Sequence, residues 1–177
     1  MSIGYVLKDY LNDIFVETGT QYGKTVSIAI KLGFKQIYSI EIDPVLGMAC
    51  QDKFAKYNHV HICCGDSIDM LPKILEQINK KSTFLLDAHL LSAKNNGPKG
   101  KIICPIMKEL DYILEHNKKY NLRHDILIDD RKFFNGKVDF FDYIKESTLI
   151  NKIKSFDANY NIKKVGKSTN GLAAFIK

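Results

Sequence analysis

Two short acidic strings hold the side chains best suited to chemistry: LLDAH, with Asp87 and His89, and LIDD, with Asp129 and Asp130. Each closes an apolar run of strand character. If the two runs lie side by side in a sheet, their ends are about 4.8 Å apart. Three carboxylates gathered there repel one another unless protons or a cation intervene. An all-oxygen set of Asp87, Asp129 and Asp130 suits magnesium, calcium or manganese. The plainer alternative is that Asp129 and Asp130 begin a turn or cap the next segment. His89 has an unperturbed pKa of about 6.5 and could take a proton from a hydroxyl; it could equally hydrogen-bond the neighbouring carboxylates.

A second constellation lies near the start, where IFVETGTQYGKT, residues 14–25, reads as a strand entering a glycine-rich turn and a helix. Gly19 and Gly23 let the backbone approach a ligand, while the helix N-terminus offers free N–H groups; Glu17, Thr20 and Thr25 belong to the same stretch. Tight turns also need glycine for steric reasons alone. The string is close to the phosphate-binding pattern GxxxxGK[ST], but three residues rather than four separate the glycines. The amides would not close around a phosphate in the usual way, which makes phosphoryl transfer the weaker reading. About 20 residues after the glycine turn, YSIEIDP places Glu41 and Asp43 at a strand end, where a carboxylate can accept both hydroxyl hydrogens of a ribose. Asp43 precedes Pro44 and also reads as a helix cap, as do Asp66 and Ser67 in CCGDS.

The elements that must position these groups alternate strand-length apolar runs with segments of helical period, the signature of an α/β fold with a mostly parallel sheet. Strands are predicted at 13–17, 36–42, 60–64, 83–87 and 125–128. Helices are predicted near 4–11, at 24–32 with Gly33 as the stop, at 44–57, from Asp66 and Ser67 to about Lys80, at 105–119 and at 140–156. Pro72 falls inside the first turns of the fourth of these or marks a late start. The polar stretch 92–101, with Lys94, Lys99 and Lys101, reads as a mobile loop of the kind that covers active sites. Two strand-like runs, 161–166 and 172–176, flank KSTNG as an antiparallel hairpin and argue against a dinucleotide domain of two equal halves.

At 177 residues and 45% hydrophobic the chain supports one domain, residues 1–177, with a real core. It shows neither a signal-peptide pattern nor the roughly 20-residue apolar run of a bilayer span, so a soluble cytoplasmic protein is expected, with no membrane partner. Cys50, Cys63, Cys64 and Cys104 have no CxxC spacing and read as free thiols. The formal charge of +6 comes from scattered lysines, which favours a solvated surface over nucleic-acid binding.

VETGTQYGKT, YSIEIDP and CCGDS resemble, in order, the first three motifs of class I methyltransferases that use S-adenosylmethionine, and the resemblance covers nearly the whole chain. It implies a single Rossmann-like three-layer domain with a seven-stranded, mostly parallel sheet in the order 3-2-1-4-5-7-6. By it, Glu17, Gly19 and Gly23 line the methionine part of the donor, Thr20 and Thr25 also belong to the donor site, Glu41 or its competitor Asp43 holds the ribose, and Asp66 with Ser67 borders the adenine. Asp87, Asp129 and Asp130 are similar to the metal-holding set of magnesium-dependent O-methyltransferases, with Asp87 also beside the donor and His89 as the candidate base. The implied activity is O-methylation of a sugar, a sugar nucleotide or another small hydroxylated acceptor. A catalytically silent donor-binding subunit and an RNA methyltransferase are the alternatives. LDAH lacks the [DNS]PP[YFW] pattern of enzymes that methylate exocyclic amines, and no glutamate stands on the hairpin strands to complete a ribose-methylating set. The terminal hairpin offers an edge for a homodimer.

Overall fold

The sheet is built where apolar runs are short and rich in Ile, Leu, Val and Phe, and its helices where such residues recur at helical spacing. A computed structural model of the chain describes residues 3–89 and 98–176. In chain order the elements are β1 (Ile14–Thr18), α1 (Lys24–Leu32), β2 (Gln36–Glu41), α2 (Pro44–Phe54), β3 (Val60–Cys64), α3 (Ser67–Leu75) and β4 (Thr83–Leu86). Then come α4 (Ile106–Tyr120), β5 (Asp125–Ile128), α5 (Glu146–Phe156), β6 (Asn161–Val165) and β7 (Gly171–Phe175), with short 3-10 turns at Ile3–Asp9, Arg131–Phe133, Asp139–Phe141 and Lys167–Thr169.

The seven strands form one sheet in the order β3-β2-β1-β4-β5-β7-β6. The pairs β1/β2, β1/β4, β2/β3 and β4/β5 are parallel. Strand β7 runs antiparallel to both β5 and β6, so the terminal hairpin is inserted with its second strand innermost. This is the seven-stranded order and hairpin expected above.

Strand alternation sorts the core into two layers. Ile14 and Val16 of β1, Phe84 and Leu86 of β4 and Ile126 and Ile128 of β5 pack against Leu71, Leu110, Ile113, Leu149 and Ile153 of α3, α4 and α5. Phe15, Leu85 and Leu127 face the other way, onto Leu7, Val26, Ala29 and Phe54 from the first turn, α1 and α2. A polar brace joins α3, β4, α4 and β5 at the end of the sheet opposite the strands' carboxyl ends. The Ser82 amide donates to His124 Nδ1 (3.0 Å), so His124 Nε2 carries the hydrogen given to His116 Nδ1 (3.0 Å), and His116 Nε2 donates to the Ile78 carbonyl (3.0 Å). Burial, reinforced by His116 and Lys81, lowers the His124 pKa to about 3.

Several helices are shorter than the pattern suggested. Helix α5 starts at Glu146 rather than near Phe140, because Asp142 and Tyr143 take left-handed backbone angles (φ 49° and 54°) that end the Asp139–Phe141 turn. Helix α3 runs through Pro72 but ends at Leu75, and α2 ends at Phe54. All four cysteines are free. Among the described residues no helix is long and apolar enough to cross a membrane.

Candidate functional site

A cleft of about 300 Å³ opens beyond the carboxyl ends of β1 to β4, where strand order reverses between β1 and β4. Its wall takes Gly19 from just after β1, Glu41 from the end of β2, Asp43 from the cap of α2, Asp66 and Ser67 from the start of α3, and Asp87 from just after β4. Ile42, Leu46, Ile102 and Ile103 make the apolar part.

The glycine turn is held from β2. The Gly19 and Thr20 amides donate to the Ile40 carbonyl (2.9 and 3.1 Å), and the Gln21 amide donates to Glu41 Oε2 (2.6 Å). Gly19 has φ 90°, and a Cβ there would stand 2.6 Å from the Asp87 carbonyl oxygen, so only glycine lets β1 and β4 close this tightly. Gly23, at the N-cap of α1 with φ 68°, faces Phe54 rather than the cleft. Helix α1 has no side-chain cap at this end.

Glu41 lies 5% exposed, and its other oxygen accepts the Asp43 amide (2.9 Å); both oxygens keep further lone pairs for a ligand. Asp43 caps α2 through Val45 and Leu46 (2.8 and 3.3 Å). Glu17 points under the turn. It accepts from Ser39 Oγ (2.7 Å), which lies 2.6 Å from Thr20 Oγ1, and the Thr25 hydroxyl also faces it. Burial pushes the Glu17 pKa up to about 8, against the pull of the Ser39 and Thr25 hydroxyls. Glu17 and Thr20 therefore form a buried support for the turn, with Gly19 at the cleft surface.

On the far side Asp66 caps α3 at Ile68 (3.0 Å) and accepts the Lys101 amide through Oδ2 (2.7 Å), while Lys101 Nζ pairs with Asp69 (2.5 Å). Residues 98–105 thus form a strap tied to the Asp66 side of the cleft, with Lys99 in its wall. Lys94 and the rest of 90–97 lie outside the described residues.

At the β4/β5 end, Asp87, His89 and Asp130 each offer a ligand atom within 4.8 Å of the others. His89 Nε2 stands 3.3 Å from Asp87 Oδ1 and 3.2 Å from Asp130 Oδ2, and its ring packs on Phe141 with centroids 4.4 Å apart. Burial raises the Asp87 pKa to about 6, opposed by His89; Asp130 is held low, chiefly by His89. Asp129 is not one of this group: its Oδ1 accepts the Asp130 amide (2.8 Å) beside a left-handed Asp130 backbone (φ 52°). The gathered donor set is therefore two carboxylates and an imidazole rather than three carboxylates, a mixed oxygen and nitrogen set that also suits manganese, iron or zinc.

Glu109 of α4 was not among the sequence candidates. It is 1% exposed behind the cleft wall, facing the Ser67 and Thr18 hydroxyls, and burial pushes its pKa up to about 7. Its signal in the sequence is an acid set within the apolar stripe of Ile106, Leu110 and Ile113.

No family model matches the sequence, and no curated protein matches it. Solved structures do share its fold. The O-methyltransferase from Bacillus cereus, in complex with SAH, aligns with a TM-score of 0.66 at 12% identity, covering 99% of this chain and 79% of that one. An SAH-bound methyltransferase from Podospora anserina aligns at 0.63 and 13%, covering 99% and 76%. The O-methyltransferase TomG from Streptomyces achromogenes, in complex with SAM, aligns at 0.66 and 11%, covering 99% and 78%. The chain thus has the Rossmann-like fold of the class I methyltransferases.

Proposed function

We propose that the protein is an S-adenosylmethionine-dependent methyltransferase acting on a hydroxyl of a small acceptor such as a sugar or sugar nucleotide, with help from a divalent cation. The observation that carries the reading is the cleft itself. It combines an apolar wall of Ile42, Leu46, Ile102 and Ile103 with carboxylates from the ends of β2, β3 and β4, which suits a nucleoside bearing a cationic tail. Glu41 has the lone pairs to hold the ribose hydroxyls, and Gly19 leaves room for the tail beside it. Asp87 and Asp130, gathered beside His89, have the donor chemistry and spacing to hold a cation.

When bound, the donor supplies a methyl group on a positive sulfur, and the cation supplies a Lewis acid for the acceptor oxygen. The chain's own residues orient the acceptor and accept its proton. With the cation held by the Asp87 and Asp130 carboxylates, His89 Nε2, 3.3 and 3.2 Å from them, would keep its lone pair for a proton and is the group suited to take it. Residues 98–105, tied to Asp66, supply Ile102 and Ile103 to the apolar wall.

Calorimetry with S-adenosylmethionine and with ATP tests the donor. Micromolar binding of the first alone is expected, and magnesium-dependent ATP binding without donor binding would overturn the reading. Donor consumption against sugar nucleotides, glycans, catechols and RNA, with and without magnesium or manganese, identifies the acceptor class. Donor binding with no turnover on any acceptor would favour a silent binding subunit.

A further inference from the structure

Behind the cleft the end of β1 and the start of α3 converge on one side chain, Glu109, in the first turn of α4. It is 1% exposed, and neither carboxylate oxygen lies in a well-formed hydrogen bond, although the Ser67 and Thr18 hydroxyls face it. A carboxyl held so deep, with so little direct support, is costly against an apolar residue of similar size. Such a group serves best where its two acceptor oxygens organise what surrounds them.

Those surroundings are the cleft. The Asp87 amide donates to Thr18, shared between its carbonyl (3.1 Å) and its Oγ1 (3.3 Å). Because Thr18 Oγ1 already accepts there, its single hydrogen is left to point elsewhere, and Glu109 is the acceptor that faces it. Ser67 is 5% exposed and also lines the cleft; next to it Asp66 caps α3 and takes the Lys101 amide of the strap. The Glu109 amide in turn donates to the Pro105 carbonyl (2.9 Å), at the end of that strap. One carboxylate therefore stands between the two walls that carry Asp87 and Asp66.

We propose that Glu109 is a positioning residue of the methyl-transfer site, orienting the Thr18 and Ser67 hydroxyls so that Asp87 and the Asp66–Ser67 turn keep their spacing across the cleft; this rests on the methyltransferase reading above. Compared at a pH above about 7, where the Glu109 carboxyl is ionised, Glu109→Gln keeps the volume but replaces one acceptor oxygen with an amide donor. A residue that only filled space would tolerate the change. As a positioning residue it is expected to unfold thermally near the wild-type midpoint yet bind S-adenosylmethionine about tenfold more weakly. Ser67→Ala, expected to weaken the wild type roughly threefold, should add almost nothing in the Glu109→Gln background, because coupled residues do not add. Wild-type affinity in Glu109→Gln, or a full Ser67→Ala effect in both backgrounds, overturns the proposal.

Amide hydrogen exchange gives a second readout that needs no ligand: the Asp87 amide should exchange about tenfold faster in Glu109→Gln than in the wild type. If the wild type binds no S-adenosylmethionine, the functional reading fails and this exchange rate decides alone, with unchanged protection refuting the role of Glu109. Should Glu109→Gln not fold, Thr18→Val with Ser67→Ala carries the test, and wild-type affinity and wild-type Asp87 exchange in that pair would overturn it.

Discussion

Replacing Glu17 with Gln probes the support beneath the glycine turn. Its carboxyl has a folded pKa raised from 4.5 to about 8, mainly by burial. A group whose folded pKa lies above its unfolded value contributes stability that is fully present below pH 4.5 and is lost as pH rises towards about 8. Within that window the unfolded chain releases a proton that the folded chain keeps, at about 1.4 kcal/mol per pH unit. From about pH 5.5 to about pH 7.5 the wild type should thus lose roughly 2 to 3 kcal/mol on account of Glu17. Glu17→Gln has no such proton, and its amide can keep an acceptor oxygen towards Ser39. The other buried acids, Asp87 and Glu109, titrate in both proteins and largely cancel in the difference. Urea unfolding at matched pH values reads the result: the stability of Glu17→Gln relative to wild type should climb with pH by that amount. Parallel stability curves across the window would refute the reasoning, because they would mean that Glu17 is ionised in the fold at an ordinary pKa.

The His124 brace has the opposite sign. Its folded pKa, lowered from 6.5 to about 3, makes its contribution present above pH 6.5 and lost as pH falls towards 3, so His124→Gln should flatten the acid limb of the stability curve. A slope unchanged in urea titrations would show that the brace is not what acid breaks. Gly19→Ala should destabilise by at least about 2 kcal/mol more than Gly33→Ala, since both sites have positive φ but only Gly19 has a backbone oxygen in the way, whereas Gly33 faces open space. Equal melting points for the two variants would contradict that packing. Asp87→Ala and Asp130→Ala should each lower turnover by about a hundredfold and abolish its dependence on added cation. If both leave turnover and cation dependence as in the wild type, no metal acts at this cluster.

Local patterns made the elements legible. Apolar runs marked β1 to β7 to within about a residue or two, and caps such as Asp43, Asp66 and Gly33 marked helix ends, because both signals are short-range. The start of α5 was not legible, because it depends on the left-handed turn at Asp142 and Tyr143, and Asp142 is tied to Cys104 of the strap (3.1 Å). Strand order came with the resemblance to a known fold rather than from local pattern.

The sequence by itself determined which residues stand at the carboxyl ends of the strands: Gly19, Glu41, Asp66, Asp87 and Asp130 all follow apolar runs, and strand alternation is a local property. Only the tertiary structure decided what those residues do there. Glu17 turns inward to Ser39, Asp66 takes the Lys101 amide, and His89 rather than Asp129 joins Asp87 and Asp130. It also brought Glu109 behind Thr18 and Ser67. Each of these depends on residues far apart in the chain meeting at one buried point, where burial and hydrogen bonding set the charge and direction of a side chain that no local spacing encodes.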